Sequence, residues 1–151
     1  MAHAFIKALR KDHDEQRELT QKFKKAENPS EWKSLFIEIH QELKPHLEGE
    51  EASFFQKFKQ SSDMEIRLEA LEKLQEHHVM DLLLDEAMKL DQTSEEFWAK
   101  IKVLLEVNEH HIDEEEEETF EAMTKQFSEK ELDLLFDEFK KKKEKIKKQI
   151  G

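Results

Sequence analysis

Apolar side chains recur every three or four residues along most of the chain, which is the spacing of one buried face on an α-helix. The first such stretch covers Ala4–Lys25, and a second, capped by Asn28, covers Pro29 to about Gln60. Pro45 and Gly49 inside the second stretch predict a bent helix. Three more helices are predicted, each opened by a Ser or Thr with a Glu three residues later: Ser62 with Glu65, Thr93 with Glu96, and Ser128 with Glu131.

The third helix is predicted to end near Leu90 and the fourth beyond Met123. The inner face of the third helix is predicted from the residues that recur at helical spacing. That predicted inner stripe consists of Ile66, Leu68, Leu71, Leu74, His78, Leu82 and Leu84.

The chain also matches itself at an offset of 65 residues, without a gap. Each half is therefore a helical hairpin, and two hairpins can bury one another as an antiparallel four-helix bundle with approximate two-fold symmetry. We predict an all-α fold in which residues 1–126 form this bundle and residues 127–151 form a fifth, lysine-rich helix that packs on it or extends from it. Coinciding positions include Leu9 with Leu74, His13 with His78, Trp32 with Phe97, His46 with His111, Glu50 with Glu115, and Phe55 with Phe120.

The amino-acid composition excludes other fold classes. Two glycines and two prolines in 151 residues are too few for the turns of a β-sandwich or the loops of a doubly wound α/β sheet. The 41% of charged residues and the mean hydropathy of −0.91 are typical of disorder, but eleven Phe and two Trp at helical spacing supply a core. Because the chain has no Cys, any metal site must use His and carboxylates, and a cytoplasmic location is expected.

The chain is acidic overall, with a formal net charge of −12. The segment Lys140–Lys148 is the exception, with seven Lys against Glu144; lysines at the end of a helix also complement its dipole. An acidic body repels nucleic acid, and no run of 18 apolar residues or short apolar leader is present. We therefore expect neither nucleic acid nor a membrane as a partner, and the sequence identifies no protein partner.

Each half of the repeat carries the same polar set on its inner face. One His lies on the first helix and a His-x-x-x-Glu lies on the second, where positions four apart share a face. His13 continues a stripe that includes Leu9, and His78 continues one that includes Leu74, so both are predicted to point into the core. Six polar groups buried together would cost several kcal/mol without a partner. The predicted metal ligands are His13, His46, Glu50, His78, His111 and Glu115.

Four imidazoles and two carboxylates can serve two metal ions with two His and one carboxylate each, a donor set that suits non-haem iron with open positions. Two ions fit better than one, because a carboxylate can bridge two ions a few ångströms apart. Zinc or manganese would also bind such donors, and cellular availability often decides between them.

This arrangement resembles the hemerythrin-like, or HHE cation-binding, family over residues 4 to 125. The segments that carry the resemblance are Lys44-Pro-His-Leu-Glu-Gly-Glu-Glu and Glu109-His-His-Ile-Asp-Glu-Glu-Glu-Glu-Glu-Thr-Phe, in register with each other. The resemblance implies a four-helix bundle around a non-haem, oxo- or hydroxo-bridged di-iron centre that binds O2 or responds to redox state.

The chain departs from the oxygen-carrying members of that family. They use two His one turn apart on the third helix, whereas Leu82 stands four residues after His78 here. They also use an Asp five residues after the His of the fourth helix, where this chain has Glu116 and, one residue earlier, Glu115. A centre with fewer imidazoles favours ferric iron, which points to oxygen or redox sensing, iron handling or peroxide chemistry.

Neighbouring residues leave alternatives for the register of the site. His77 could bind metal together with Asp81, and His110 together with Glu114, but the 65-residue offset favours His78 and His111. Of the six consecutive acidic residues from Asp113 to Glu118, most are expected on the surface. Glu51 and Glu116 are candidates for extra ligands; His40 is expected at the edge of the core, and His3 at the terminus.

Three functions fit this sequence. The leading hypothesis is a di-iron protein that binds or senses O2 or a related small oxidant, as a binding protein rather than an enzyme. A di-iron enzyme that handles iron or reacts with peroxide would use the same ligands. The third is a metal-free helical interaction module that uses its fifth helix.

Overall fold

The computed structural model describes residues 2–151, which fold into helices joined by short loops, as the all-α prediction requires. The helices α2 and α3 form one rod with a bend, and α5 continues through a π-helical turn into α6, so that five rods make up the molecule. None of the helices in residues 2–151 is long and apolar enough to cross a membrane. The elements are α1 (Ala4–Lys25), α2 (Pro29–Ala52), α3 (Phe54–Phe58), α4 (Met64–Lys89), α5 (Glu95–Glu114), the π turn (Glu115–Thr119), α6 (Phe120–Gln126) and α7 (Glu129–Ile150).

The predicted helix starts are correct to within one residue. The side chain of Asn28 caps α2, and Ser128 with Glu131 forms a complete capping box at the start of α7. The other two caps lie one residue later than predicted. The N-cap of α4 is Asp63 and not Ser62, and the N-cap of α5 is Ser94 and not Thr93. Both side chains accept a backbone N–H of the first turn, which Asp and Ser do equally well.

The bend of the second rod is not where Pro45 and Gly49 predicted it. The helix α2 continues through both residues, and the backbone breaks at Ser53, where φ is −114° and ψ is −104°. The Ser53 hydroxyl donates a hydrogen bond to the carbonyl oxygen of Gly49 at 2.8 Å, which occupies an acceptor at the end of α2. The bend turns three phenylalanines of this rod, Phe54, Phe55 and Phe58, into the core.

Helices α1, α2, α4 and α5 are neighbours around a common core, as in an antiparallel four-helix bundle with short loops. The core consists of two apolar clusters, one toward each end. The first includes Phe5, Leu9, Phe54, Phe55, Phe120 and Met123. The second includes Phe23, Phe36, Leu43, Met80, Phe97 and Leu104. Buried polar side chains lie between the two clusters, and they form the site described below.

The predicted inner face of α4 is wrong. Leu68, Leu71 and Leu82 are 53%, 47% and 51% exposed, whereas Lys73 and His77 are buried at 2% and 0%. The stem of Lys73 lies in the interior while its ammonium group reaches the Glu114 carboxylate at 2.8 Å. Leucines thus lie on two faces of α4, and helical periodicity alone does not tell the inner face from the outer one.

The C-terminal helix α7 packs along α2 on the outside of the bundle. Its residues Leu132, Leu135 and Phe139 join the first apolar cluster. The approach is closest at Gly49, where an added Cβ would lie 2.8 Å from the Phe139 ring and 3.2 Å from its carbonyl oxygen. A glycine in the middle of α2 therefore provides the room in which α7 packs.

We expect the substitution Gly49→Ala to destabilise the protein by about 1 to 2 kcal/mol. Overpacking in a filled core costs about 1–3 kcal/mol and outweighs the gain of up to about 1 kcal/mol that Ala brings to a helix interior. Chemical denaturation measures the change. Gly151→Ala is the matched control, because its Cβ would have its nearest neighbour, Gln41 Nε2, at 3.8 Å. A Gly49→Ala protein as stable as the wild type would contradict the close packing of α7.

Candidate metal centre

Six polar side chains meet in the middle of the bundle, and none is more than 1% exposed. Four of the six residues form two pairs, His46 with Glu50 and His111 with Glu115. The members of each pair are four residues apart and therefore share a helix face. One side chain comes from α1, two from α2, one from α4, one from α5 and one from the first residue of the π turn. They are His13, His46, Glu50, His77, His111 and Glu115.

The two glutamates lie between two pairs of histidines. On one side, Glu50 Oε2 is 3.1 Å from His46 Nε2, and Glu115 Oε1 is 3.2 Å from His13 Nε2. On the other side, Glu50 Oε1 is 3.2 Å from His77 Nε2, and Glu115 Oε2 is 3.2 Å from His111 Nε2. Each carboxylate thus directs one oxygen to each side, and two four-residue groups result that share Glu50 and Glu115.

These distances fit two metal ions. Donor atoms that bind one ion at about 2.1 Å and at right angles lie about 3.0 Å apart, and His77 Nε2 and His111 Nε2 are 3.0 Å apart. The buried Nε2 atoms of His13 and His46, and all four carboxylate oxygens of Glu50 and Glu115, have no hydrogen-bond partner among the described residues. Buried polar groups without partners are costly, and a pair of cations would satisfy all of them.

Five of the six residues predicted from the sequence lie in this cluster, and the sixth does not. His78 is exposed, and its neighbour His77 lies in the cluster instead. The reason is a difference in spacing between the two halves of the repeat. An offset of 64 residues relates His13 to His77, whereas 65 relates His46 to His111, so the repeat shifts by one residue between its two helices. The alternative pairing of His77 with Asp81 does not occur, because Asp81 binds Lys44 at 2.8 Å.

Each of the four histidines donates its Nδ1–H to a second carboxylate outside the cluster. The acceptors of His46 and His111 are Asp12 at 2.8 Å and Glu76 at 2.7 Å. Since a carboxylate only accepts, the proton is held on Nδ1 and the Nε2 lone pair is left for a metal. The remaining pairs are His13 with Glu116 at 2.8 Å and His77 with Glu51 at 3.1 Å.

Three of these outer carboxylates have a cationic partner in turn. The Arg17 guanidinium binds both oxygens of Glu116 at 3.0 Å in a bidentate pair. The ammonium group of Lys143 on α7 donates to both oxygens of Asp12 at 2.9 and 2.7 Å. Lys73 lies 3.6 Å from Glu76. The fourth carboxylate, Glu51, is the most exposed of the four at 38%.

The π turn explains how neighbouring residues of the acidic run take different roles. Glu115 Oε1 lies 3.2 Å from His13 Nε2, while Glu116 Oε2 accepts from His13 Nδ1 at 2.8 Å, so consecutive residues contact both nitrogens of one imidazole. Glu51 and Glu116, considered above as extra ligands, thus contact histidines from outside the cluster. Sequence reasoning missed Asp12 and Glu76, because an acidic residue on a charged helix carries no periodic signal.

The other histidines lie outside the cluster. His110 is 67% exposed and pairs with Glu114 on the surface at 2.6 Å. His40 is half-buried and stacks on Phe36, as expected for a residue at the edge of the core. His3 caps α1, where its ring accepts the backbone N–H of Phe5.

The charges of the cluster shift the pKa values of its members. Burial alone would lower the pKa of His46, but attraction to Glu50 and the hydrogen bond to Asp12 raise it to about 10. Burial would also lower the pKa of His111, but the nearby carboxylates of Glu115, Glu50 and Glu76 raise it well above its usual value. Burial would raise the pKa of Glu50, but the His46 cation brings it well below the usual range. Without metal, imidazolium groups therefore balance the buried carboxylates.

The family model of the hemerythrin HHE cation-binding domain matches residues 4–123 of the chain. No curated protein and no solved structure shows significant similarity to this chain. The match covers all four bundle helices and the six clustered residues, and the chain belongs to the hemerythrin HHE cation-binding domain family.

We expect the metal-free protein to lose stability as pH rises from 6.5 towards 10. The folded-state pKa of His46 is raised to about 10 from an ordinary value of 6.5. Its protonated form therefore stabilises the fold fully below pH 6.5 and progressively less above it, by roughly 1 kcal/mol per pH unit. Urea unfolding at pH 6.5, 7.5 and 8.5 in the presence of a chelator measures the slope. His46→Gln should flatten it, and a stability that stays constant or rises with pH would contradict the assignment.

Proposed function

We propose that the chain binds two iron ions and that this non-haem di-iron centre senses or reacts with a small oxidant such as O2. The observation that carries the proposal is the division of the cluster into two groups that share Glu50 and Glu115. Each group offers two imidazole nitrogens and one oxygen from each shared carboxylate. Such a donor set can hold two ions a few ångströms apart.

Each group supplies four donors, a number that would also complete the tetrahedron of zinc. The mixture of imidazole and carboxylate donors, rather than their number, supports iron. Iron with His and carboxylate ligands accepts further ligands and leaves positions open for a small molecule. When bound, a pair of irons can exchange electrons one at a time with an oxidant.

The protein's own residues prepare the site for this chemistry. The four outer carboxylates orient the imidazoles and hold their Nδ1 protons, so that Nε2 faces the cluster. Two phenylalanines limit the access of water from one end of the bundle. The Phe120 ring stacks on His13 at 5.7 Å, and the Phe55 ring meets His77 edge-on at 5.5 Å.

A metal-free interaction module is disfavoured by the same cluster. Such a protein would keep Glu50 and Glu115 fully buried, with only buried imidazolium groups to balance their charges. Removing charge from the interior would stabilise it, because buried ion pairs often contribute less than apolar side chains of similar volume. Retaining six such groups is costly without a metal.

The direct test is metal analysis of protein purified aerobically from iron-supplemented cells, together with its ultraviolet–visible spectrum. We expect about two irons per chain and near-ultraviolet bands that bleach on reduction, because the shared carboxylates would hold two ferric ions close enough for an oxo or hydroxo bridge. Folded protein that binds no iron, even after anaerobic addition of Fe(II), would contradict the proposal. Two bound zinc or manganese ions and no iron would contradict the choice of metal.

The adjacent histidines of α4 provide a matched pair of variants. His77→Gln removes a donor from the cluster and should reduce the metal content to one ion per chain or fewer. His78→Gln changes an exposed residue one position later and should retain two ions. Equal metal contents in the two variants would contradict the placement of His77 at the site. Circular dichroism checks that both variants keep their helices.

A further inference from the structure

A second buried polar pair lies next to the metal cluster and is not part of it. Gln16 on α1 and Asn108 on α5 are 3% and 2% exposed. The Asn108 side-chain amide donates to Gln16 Oε1 at 2.9 Å. Gln16 Nε2 and Asn108 Oδ1 are left without a hydrogen-bond partner among the described residues. If both amides are flipped, one donor and one acceptor still remain without partners.

The pair lies one helical turn from the metal cluster. Gln16 follows His13 by three residues, and Asn108 precedes His111 by three, which is about 4.5 Å along a helix axis. Because α1 and α5 are neighbours, both amides lie on the same side of the cluster. They are close to one histidine from each of the two groups.

Packing does not require polar residues at this level of the bundle. The corresponding positions on the other two helices are Leu43, three residues before His46, and Met80, three residues after His77. Both are buried, at 2% and 0% exposure. The same layer of the bundle thus contains two apolar side chains on one side, Leu43 and Met80. On the other side it contains two amide side chains, Gln16 and Asn108, whose hydrogen bonding is incomplete.

A cavity lies about one helical turn beyond this amide pair, and neither Gln16 nor Asn108 lines it. It has a volume of about 220 Å³ and lies between α1 and α5. Thr20 and Leu105 line it, and they are one turn further from the cluster than Gln16 and Asn108 respectively. The charged side chains of Lys24, Lys102 and Glu106 also line the cavity. Cavity, amide pair and metal cluster therefore follow one another along a single helix–helix seam.

We propose that Gln16 and Asn108 form a binding subsite for hydrogen peroxide on its way to the metal centre, an inference that rests on the proposed function. The free amide N–H of Gln16 needs an acceptor, and the free oxygen of Asn108 needs a donor. Hydrogen peroxide supplies both. Dioxygen and azide only accept hydrogen bonds, and either would leave the Asn108 oxygen buried and unpaired, which a site built for hydrogen bonding rejects.

The oxidant and the metal pair are matched in electrons. Reduction of one hydrogen peroxide molecule breaks its O–O bond, takes two electrons and two protons, and gives two water molecules. Two ferrous ions supply the electrons, one each, and become ferric, while the solvent supplies the protons. The reaction is therefore complete in a single encounter with a diferrous centre.

The test replaces the pair by the side chains that the repeat uses on its other side, in the double variant Gln16→Met/Asn108→Leu. Three quantities are measured: the rate constant for oxidation of the diferrous protein by hydrogen peroxide, the azide affinity of the diferric protein, and the melting temperature of the metal-free protein. We expect the peroxide rate constant to fall at least tenfold, the azide Kd to change less than twofold, and the melting temperature to stay equal or rise. Leu43→Met/Met80→Leu is the matched control and should change none of them.

Two results would overturn this inference. An unchanged peroxide rate constant would mean that the pair binds only a structural water, and equal losses for peroxide and azide would mean that it shapes the site without selecting the oxidant. If the double variant does not fold, Gln16→Met alone removes the free donor and serves the same comparison. Wild-type protein that takes up no iron contradicts the proposed function instead, so the two failures are distinguishable.

Discussion

The structure depends on how it accommodates two carboxylates, Glu50 and Glu115, at the centre of the bundle with no exposure to solvent. Two buried like charges repel each other, and each is costly without a counterion. Histidines from four helices surround the two carboxylates, and the raised pKa values of His46 and His111 make these two a source of positive charge when no metal is bound. Because the partners come from all four helices, the electrostatic requirement also fixes how the helices are arranged around one another.

Charge alternates outward from this centre. Carboxylates lie at the core, imidazoles around them, a second set of carboxylates beyond the imidazoles, and cations such as Arg17 and Lys143 at the periphery. Each layer stabilises the next, because a carboxylate held by a cation keeps a fixed position for its imidazole. Through Lys143 the C-terminal helix becomes the outermost member of this series. Its lysine-rich sequence therefore contributes to the site as well as to the dipole of its own helix.

Much of the centre could be predicted from sequence, because a His and a Glu four residues apart on a helix must share a face. His77 could not be chosen over His78, since α4 is apolar on two faces and the two histidines of the second half are one residue further apart in sequence than those of the first. The outer carboxylates were harder to predict. Asp12 and Glu76 lie on charged helices and carry no periodic signal, and the direction of Glu116, within a run of six acidic residues, depends on the π turn.

The internal repeat explains the symmetry of the ligands, and its failures show where the two halves have diverged. Both halves supply two histidines and one glutamate to the cluster. Only one side of the adjacent layer is polar, with Gln16 and Asn108 opposite Leu43 and Met80. Two equivalent metal positions would not distinguish one direction of approach from the other. A small molecule that needs hydrogen bonds can distinguish the side of Gln16 and Asn108 from the side of Leu43 and Met80. The two sides of the bundle therefore differ chemically because of the layer next to the metal centre, and not because of the centre itself.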